Sequence, residues 1–332
     1  MNSFRYSRVT TPQEALASTG AGRAFVAGGT TLIDLMKLDV ERPAELVDIN
    51  PLPLAAIDPL PGGGVRIGAL TRNSDVAHHD FIKTNFPVLS EALLSGASPQ
   101  LRNMATVGGN IMQRTRCYYF RDTLFHCNKR IPGSGCPAIE GFNRIHAILG
   151  GSDQCIATNP SDMNVALVAL DAMVLVEGVK GKRSIPLEEF HVVPGQTPHL
   201  ETVLEPGELI TAVEIPGSRF AANSLYLKLR DRASYEFALA SVALAIEIDS
   251  GVIHTARVAF GGVATKPWRA HNVEQLLSSA TPSEDLIQRA GEMAAEGAVP
   301  RRDNAFKVQL LRRAVAKSLR QLFLRMGIGG IE

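Results

Sequence analysis

The sequence predicts an α+β protein with more than one domain. Residues 22–40, "GRAFVAGGTTLIDLMKLDV", read as a short strand, a glycine turn and an amphipathic helix. Near the C-terminus, strand-like runs come first and helical stretches follow them, which is typical of a separate α+β unit. A chain of 332 residues is also long for a single hydrophobic core.

The first hundred residues alternate short strands with helices. In the opening unit, Phe25 to Ala27 form the strand and Gly28 with Gly29 the turn, and Thr30 and Thr31 are expected to cap the helix. Residues 45–57 and 62–70 predict two further strands. Residues 71–98 are mostly helical, with Asn73 or Ser74 as the expected cap.

Residues 112–158 show weak periodicity and many turn residues, so we expect a long irregular segment with a function. Regular structure resumes with a helix and a strand in residues 161–178, and two more strands follow at 183–190 and 208–216. A domain boundary is predicted at 216–224.

The last hundred residues predict three strands and two helices. The strands are expected at 224–231, 237–249 and 252–263, and the helices at 272–297 and 303–325. The last helix is expected to turn its basic residues to solvent, or else to a partner subunit; they are Lys307, Arg312, Arg313, Lys317 and Arg320.

The charge balance and the N-terminus exclude several classes of protein. A net charge of +1 does not favour nucleic acid or a membrane surface as partner. No apolar run approaches the roughly 18–20 residues of a membrane span. Residues 1–16 lack an apolar signal region and a twin-arginine pair, so we expect no export signal in this chain.

All four cysteines lie in one segment, at Cys117, Cys127, Cys136 and Cys155, separated by nine, eight and eighteen residues. Disulfides are disfavoured, because a chain without an export signal stays in a reducing compartment. Zinc sites usually contain short C-x2-C knuckles, and none occurs here. The spacing therefore favours an iron–sulfur cluster, with an all-thiolate zinc site as the open alternative.

Two glycine pairs indicate a nucleotide site. "AGGTT" (27–31) joins a strand to a helix, and "TVGGN" (106–110) directly precedes the cysteine segment. Glycine lets the backbone approach a ligand, and the free N–H groups of a helix start favour a diphosphate. Neither G-x-G-x-x-G nor a P-loop motif is present. A dinucleotide held by both turns is the functional interpretation, and purely structural turns remain the alternative.

Three ordered motifs, "FVAGGTTLIDLMK", "ATVGGNI" and "PSDMNVALVALDA", resemble the FAD-binding subunit of the molybdenum hydroxylases, and the resemblance extends over the whole chain. It implies an FAD-binding domain of the PCMH/VAO-like type in two α/β subdomains, followed by a C-terminal α+β domain of the CO dehydrogenase flavoprotein type, with a three-stranded sheet and helices. The implied boundaries are 1–57 and 58–218 for the subdomains, with an insertion at about 112–158, and 222–328 for the C-terminal domain.

The resemblance implies the FAD contacts. The first turn would wrap the diphosphate, and the second would lie against the flavin nucleotide. Asp162 would accept hydrogen bonds from the adenosine ribose or nearby hydroxyls. Ile210 would contact the isoalloxazine ring through its backbone, and Lys228 would lie near the pyrimidine edge of the ring. Their structural alternatives are a helix cap, a strand core residue and a surface lysine. The implied contacts of the two turns are Phe25, Val26, Ala27, Gly28, Gly29, Thr30, Thr31, Leu32, Thr106, Gly109 and Asn110.

The cysteine segment is similar to that of three-subunit periplasmic aldehyde oxidoreductases, notably in "RCYYFRD" and "NKRIPGSGCPAIEGFNRIHAILGGSDQC". In that group the flavin subunit carries a [4Fe–4S] cluster, so the resemblance implies the four cysteines as ligands. His126 adjoins Cys127 and is expected to cap a turn rather than tune the cluster. The other seven histidines show no metal-ligand spacing.

The resemblance implies an electron-transfer subunit with FAD and a [4Fe–4S] cluster in a molybdenum-dependent aldehyde oxidoreductase. Electrons would arrive from a molybdenum-cofactor large subunit through a [2Fe–2S] small subunit, and would leave to an external acceptor. Flavin subunits of complexes like 4-hydroxybenzoyl-CoA reductase or xanthine dehydrogenase, a stand-alone flavin oxidase and a zinc-stapled scaffold are the alternatives. The expected location is periplasmic, by export with a signal-bearing partner, and otherwise cytoplasmic.

Overall fold

The computed structural model describes residues 1–329 and contains three β-sheets. The first is parallel, with the order β1 (Arg5–Arg8), β3 (Glu45–Asp48), β2 (Arg23–Val26). Helices α1 (Pro12–Ala17) and α2 (Leu32–Lys37) supply its crossovers. Strand β2 lies at the edge of this sheet and leads into a glycine turn. The turn therefore lies at the end of the sheet.

The second sheet is antiparallel and forms the body of the larger, N-terminal domain. Its order is β4 (Ile57–Pro59), β5 (Val65–Gly68), β8 (Leu209–Ile215), β6 (Met173–Gly178), β7 (Gly181–Pro186). A short 3₁₀ turn, Pro61–Gly63, joins the first two strands. The predicted strand at 183–190 is wrong in its second half, which is a helix. The helices of this domain are α3 (Asn73–His78), α4 (Asp80–Asn85), α5 (Pro87–Ser95), α6 (Pro99–Met104), α7 (Val107–Ile111), α8 (Tyr118–Arg121), α9 (Asp162–Ala169) and α10 (Leu187–Phe190).

The C-terminal domain has a four-stranded antiparallel sheet rather than the predicted three strands. Its order is β12 (Trp268–Arg269), β11 (Val252–Gly261), β10 (Ala240–Asp249), β9 (Ser224–Leu229). The two residues of β12 are too few to give a strand pattern in the sequence. The helices are α11 (His271–Leu277), α12 (Glu284–Met293) and α13 (Phe306–Arg325). The single helix predicted at 272–297 is therefore two, because Ser279 takes a left-handed φ of 63° and Pro282 follows.

Helix α9 joins the two domains. Every residue from Met163 to Ala169 is buried, because the helix packs against α5 on one side and against β10 and β11 on the other. At its end, Arg269 of the C-terminal domain donates to the Val168 carbonyl at 2.7 Å and pairs with Asp171 at 2.8 Å. One hydrophobic core therefore extends across both domains.

The irregular segment is confirmed: between α7 and α9, the described chain has α8 as its single regular element. Thr31 occupies the N-cap position of α2 but makes no side-chain cap bond, and Arg72 rather than Asn73 or Ser74 precedes α3. The prediction for Lys307 is wrong. This residue is completely buried, since α13 begins beneath the cysteine segment.

Candidate functional site

The first glycine turn packs directly on the backbone that leads into the second. A Cβ at Gly28 would lie 2.0 Å from the Met104 carbonyl oxygen, so only glycine fits there. Gly29 has a left-handed φ of 71°. Asn50 donates to the Ala27 carbonyl at 3.0 Å, and Arg72 donates to the Asn50 side-chain oxygen at 3.2 Å. Since Arg72 also binds the Met104 carbonyl, these two side chains hold the turns together.

The second turn begins α7. Thr106 is buried and accepts a hydrogen bond from the Gly109 N–H at 3.2 Å, while Gly108 donates to the Ala69 carbonyl at 2.8 Å. Both turns line one cavity of about 330 Å³, together with apolar side chains that include Leu35, Ile49, Leu204 and Ile210. We call this the apolar cavity. Of the residues expected from the first turn, Phe25 and Ala27 through Leu32 line it, whereas Val26 is the last residue of β2 and does not.

A second cavity, of about 540 Å³, shares Thr30, Thr31 and Gly109 with the apolar cavity. We call it the charged cavity, because Asp162 and Lys228 line it. The two cavities together form an elongated site with glycine backbone at its junction. That shape fits an extended dinucleotide whose diphosphate lies where the backbone can approach most closely.

Asp162 and Lys228 form a buried ion pair with a 2.7 Å separation, and their side chains are 10% and 3% exposed. Tyr226 donates its hydroxyl to the other Asp162 oxygen at 2.6 Å, and burial raises the pKa of this tyrosine well above its usual value. Lys228 also donates to the Ser95 carbonyl at 3.2 Å. The carboxylate thus has two partners, and the ammonium faces the charged cavity.

The FAD contacts expected of Asp162 and Lys228 stay predictions. Asp162 was expected at the adenosine ribose or nearby hydroxyls of FAD and Lys228 at the ring, and their side chains are in direct contact. Ile210, expected beside the ring with Lys228, lines the apolar cavity instead. Ser161, not Asp162, caps α9 by accepting from the Asn164 N–H at 3.0 Å. The Ser161 hydroxyl also donates to the Asn110 side-chain oxygen at 2.8 Å, which leaves the Asn110 amide NH₂ for a ligand.

The four cysteines come together although 38 positions separate the first from the last. Cys117, Cys127, Cys136 and Cys155 line one small cavity, all as free thiols, and only Cys136 is partly exposed. Residues 1–329 contain no three His, Cys, Asp or Glu side chains grouped as ligands to one metal ion.

Backbone N–H groups point at these sulfurs. Those of Tyr119 and Phe120 favour the thiolate of Cys117, although burial raises its pKa to about 12. Cys136 and Cys155 are in hydrogen-bond contact, which lowers the pKa of Cys136 and raises that of Cys155. Such N–H donors are the usual second shell of cysteine ligands.

His146 is the site residue that the sequence did not reveal. It is buried, and its Nε2 lies 3.1 Å from the Cys117 Sγ. Burial and the nearby Lys307 lower the pKa of His146 to about 4, so the ring is neutral. His126 lines the same cavity but is exposed. The histidine next to a cysteine in the sequence, His126, is therefore not the one that contacts a cysteine sulfur. No spacing in the sequence identifies His146 as that residue.

The paired glycine turns and the elongated site on a two-domain α+β fold are those of a nucleotide-binding protein. Residues 2–218 match the family described as "FAD binding domain in molybdopterin dehydrogenase", and residues 225–326 match "CO dehydrogenase flavoprotein C-terminal domain". The chain belongs to this family of FAD-binding medium subunits. It is an oxidoreductase subunit of the aldehyde oxidoreductase and xanthine dehydrogenase group, as the sequence resemblance implied.

Several relatives cover nearly the whole chain. The aldehyde oxidoreductase FAD-binding subunit PaoB of Escherichia coli K12 is 50% identical over 96% of this chain and 98% of its own. The glyceraldehyde dehydrogenase medium chain of Sulfolobus acidocaldarius is 31% identical, with 86% and 84% covered. A solved carbon monoxide dehydrogenase from Hydrogenophaga pseudoflava matches with a TM-score of 0.76 at 25% identity, covering 98% of both chains. These matches confirm the predicted fold.

Among the described residues, no helix is both long and apolar enough to cross a membrane.

Proposed function

We propose that this chain is the FAD-carrying electron-transfer subunit of a molybdenum-dependent aldehyde oxidoreductase. The observation that carries the substrate class is the 50% identity, over nearly all of both chains, with a subunit named for aldehyde oxidation. Its partners are a molybdenum-cofactor subunit, which oxidises the aldehyde, and a [2Fe–2S] subunit, which relays the electrons. The final acceptor lies outside the complex.

FAD, when bound, supplies a centre that exchanges electrons singly or in pairs. The chain's own contribution is to hold that cofactor. The backbone of Gly28 and Gly29, with Gly109 at the junction of the two cavities, would hold the diphosphate. Ile210, Leu204 and their apolar neighbours would hold the adenosine in the apolar cavity.

The flavin ring then belongs in the charged cavity. Two features support this orientation. Lys228 offers a buried cation that favours negative charge on the ring, and Asp162 with Tyr226 fixes that cation in place. The charged cavity is also lined by Arg116, the residue before Cys117, so it adjoins the cysteine segment. A second redox centre held by the cysteine segment would therefore lie beside the charged cavity.

That second centre, we propose, is a [4Fe–4S] cluster held by Cys117, Cys127, Cys136 and Cys155. Four cysteines bordering one cavity, with backbone N–H groups aimed at their sulfurs, supply the donor set. A single zinc ion needs four sulfurs converging on one point, whereas a cubane binds them at its separate corners. The similarity of the cysteine segment to that of flavin subunits with a [4Fe–4S] cluster supports the cluster over zinc.

Anaerobic purification followed by iron, sulfide and flavin analysis tests both cofactors. We expect one FAD and about four irons per chain. Cys136→Ser should abolish the broad iron–sulfur absorption, while Ile131→Ala, an exposed substitution in the same segment, should keep it. A flavoprotein without iron would refute the cluster alone. A chain with neither cofactor, or one that turns over aldehyde without partners, would refute the whole proposal.

We further propose that the complex works in the periplasm, exported with a signal-bearing partner. The similarity of the cysteine segment to periplasmic aldehyde oxidoreductases supports this location, and buried cofactors require that folding precede export. Cell fractionation with and without the partner subunits tests it. Retention of the assembled complex in the cytoplasm would support the alternative.

A further inference from the structure

A buried cation lies behind the cysteine site. Lys307 is completely buried, and its Nζ donates to the His146 carbonyl at 3.0 Å and to the Gly262 carbonyl at 2.7 Å. Burial lowers its pKa to about 7, and the charge of Arg144 adds to this. Within residues 1–329 no carboxylate pairs with Lys307. A buried ammonium without a carboxylate is costly unless another negative charge lies close by.

His146 connects this cation to the cysteine site. Its Nε2 contacts the Cys117 Sγ at 3.1 Å, whereas its Nδ1 is buried with no partner among the described residues. In either protonation state of an imidazole, the nitrogen that donates to an acceptor carries a proton. We therefore assign the proton to Nε2, which donates to the sulfur.

The C-terminal domain fixes the position of this histidine. Asn304 donates to the carbonyls of both His146 and Ala147 at 3.3 Å, and Asp303 donates its N–H to the Asn143 side chain at 2.9 Å. Asn143 and Asn304 are completely buried. The imidazole is thus held against Cys117 by residues outside the cysteine segment.

We propose that His146 is a positioning residue whose Nε2–H, backed by the buried ammonium of Lys307, stabilises the Cys117 thiolate and raises the reduction potential of the cluster. This inference rests on the cluster proposed above. A hydrogen bond to a ligand sulfur and a nearby positive charge both stabilise the more negative, reduced state. In return, the negative cluster offsets the cost of burying Lys307 without a carboxylate.

The test is a redox titration of the full chain, followed by the electron paramagnetic resonance signal of the reduced cluster, with iron measured in parallel. His146→Phe should lower the midpoint potential while iron is retained, and His146→Gln, which keeps an N–H, should restore part of the shift. Lys307→Met should also lower the potential. His126→Phe is the matched control, since this exposed histidine lines the same cavity, and should leave the potential near the wild-type value.

The possible results separate the role of His146 from the presence of the cluster. Full iron content with an unchanged potential in His146→Phe would overturn the role of His146. If His146→Phe loses its iron, then Lys307→Met decides, and an unchanged potential there would overturn the inference. An equal fall in His126→Phe would also overturn it, because any cavity substitution would then act alike. Wild-type protein without iron would refute the cluster itself.

Discussion

Gly28→Ala should separate the two glycine turns that are proposed to grip FAD. The added methyl carbon would lie 2.0 Å from the Met104 carbonyl oxygen, 2.7 Å from its carbon and 3.0 Å from the Ala105 Cα. All three are backbone atoms, so no side chain can rotate away. Gly28 has no left-handed φ, which means that the effect comes from the contact alone.

The size of the effect follows from the overlap. Unbonded carbon and oxygen atoms need roughly 1 Å more than this geometry allows, so one turn must move by about that amount. Overpacking of a tight contact costs about 1–3 kcal/mol. If the turns relax by moving apart, that cost falls on FAD binding, and at about 1.4 kcal/mol per tenfold the affinity drops by roughly 5- to 150-fold.

The assay is titration of the flavin-free chain with FAD, read by the change in flavin fluorescence, together with the rise in melting temperature at saturating FAD. Gly62→Ala is the control. It has a left-handed φ of 80° and nothing within 4 Å of the added carbon, so it introduces backbone strain without a contact. Gly62→Ala should lower stability but leave FAD affinity unchanged. Wild-type FAD affinity in Gly28→Ala would refute the argument.

Three further outcomes are expected. Lys228→Met should lower the flavin midpoint potential in a redox titration, because it removes the cation proposed to lie beside the ring and leaves Asp162 uncompensated; an unchanged potential would place the ring elsewhere. Burial lowers the pKa of His191 to about 4, so the unfolded chain binds more protons between about pH 4 and 6.5, and stability is lost as pH falls through this range. His191→Gln should therefore reduce the loss of unfolding free energy between pH 7 and 4.5 by about 2–3 kcal/mol in urea titrations, and an equal loss would contradict this. Arg269→Met should destabilise the chain by about 3–5 kcal/mol, because it leaves the buried Glu274 carboxylate without its guanidinium partner, whereas Arg66→Met at an exposed pair should change stability by less than about 1 kcal/mol. A similar loss of stability in Arg269→Met and Arg66→Met would show that Arg269 does not join the domains.

Local patterns carried most of the fold prediction. The strand, turn and helix around Gly28 and the irregular cysteine segment were predictable, because each depends on the order of neighbouring residues. The same holds for the apolar, strand-like runs of β10 and β11. Two features without a local sequence signal were predicted wrongly. Strand β12 was missed because it has two residues, and the break between α11 and α12 was missed because it depends on one serine with a left-handed φ.

The residues of the site were recognisable in sequence, but their grouping was not. Asp162 and Lys228 are 66 positions apart and form one ion pair, so only the packing of α9 against the C-terminal sheet puts them in the same cavity. Likewise, Asn50 and Arg72 join the glycine turns from separate elements.

The amino-acid sequence by itself determined the family, the glycine turns and the set of four thiols, since these are properties of residue type and order. The tertiary structure alone decided what surrounds the thiols. Lys307 appears in sequence as one more basic residue of an amphipathic helix, yet it is buried 161 positions from the histidine whose carbonyl it binds. Burial and contact depend on how distant segments pack, and these decide the protonation of His146 and the charge beside Cys117.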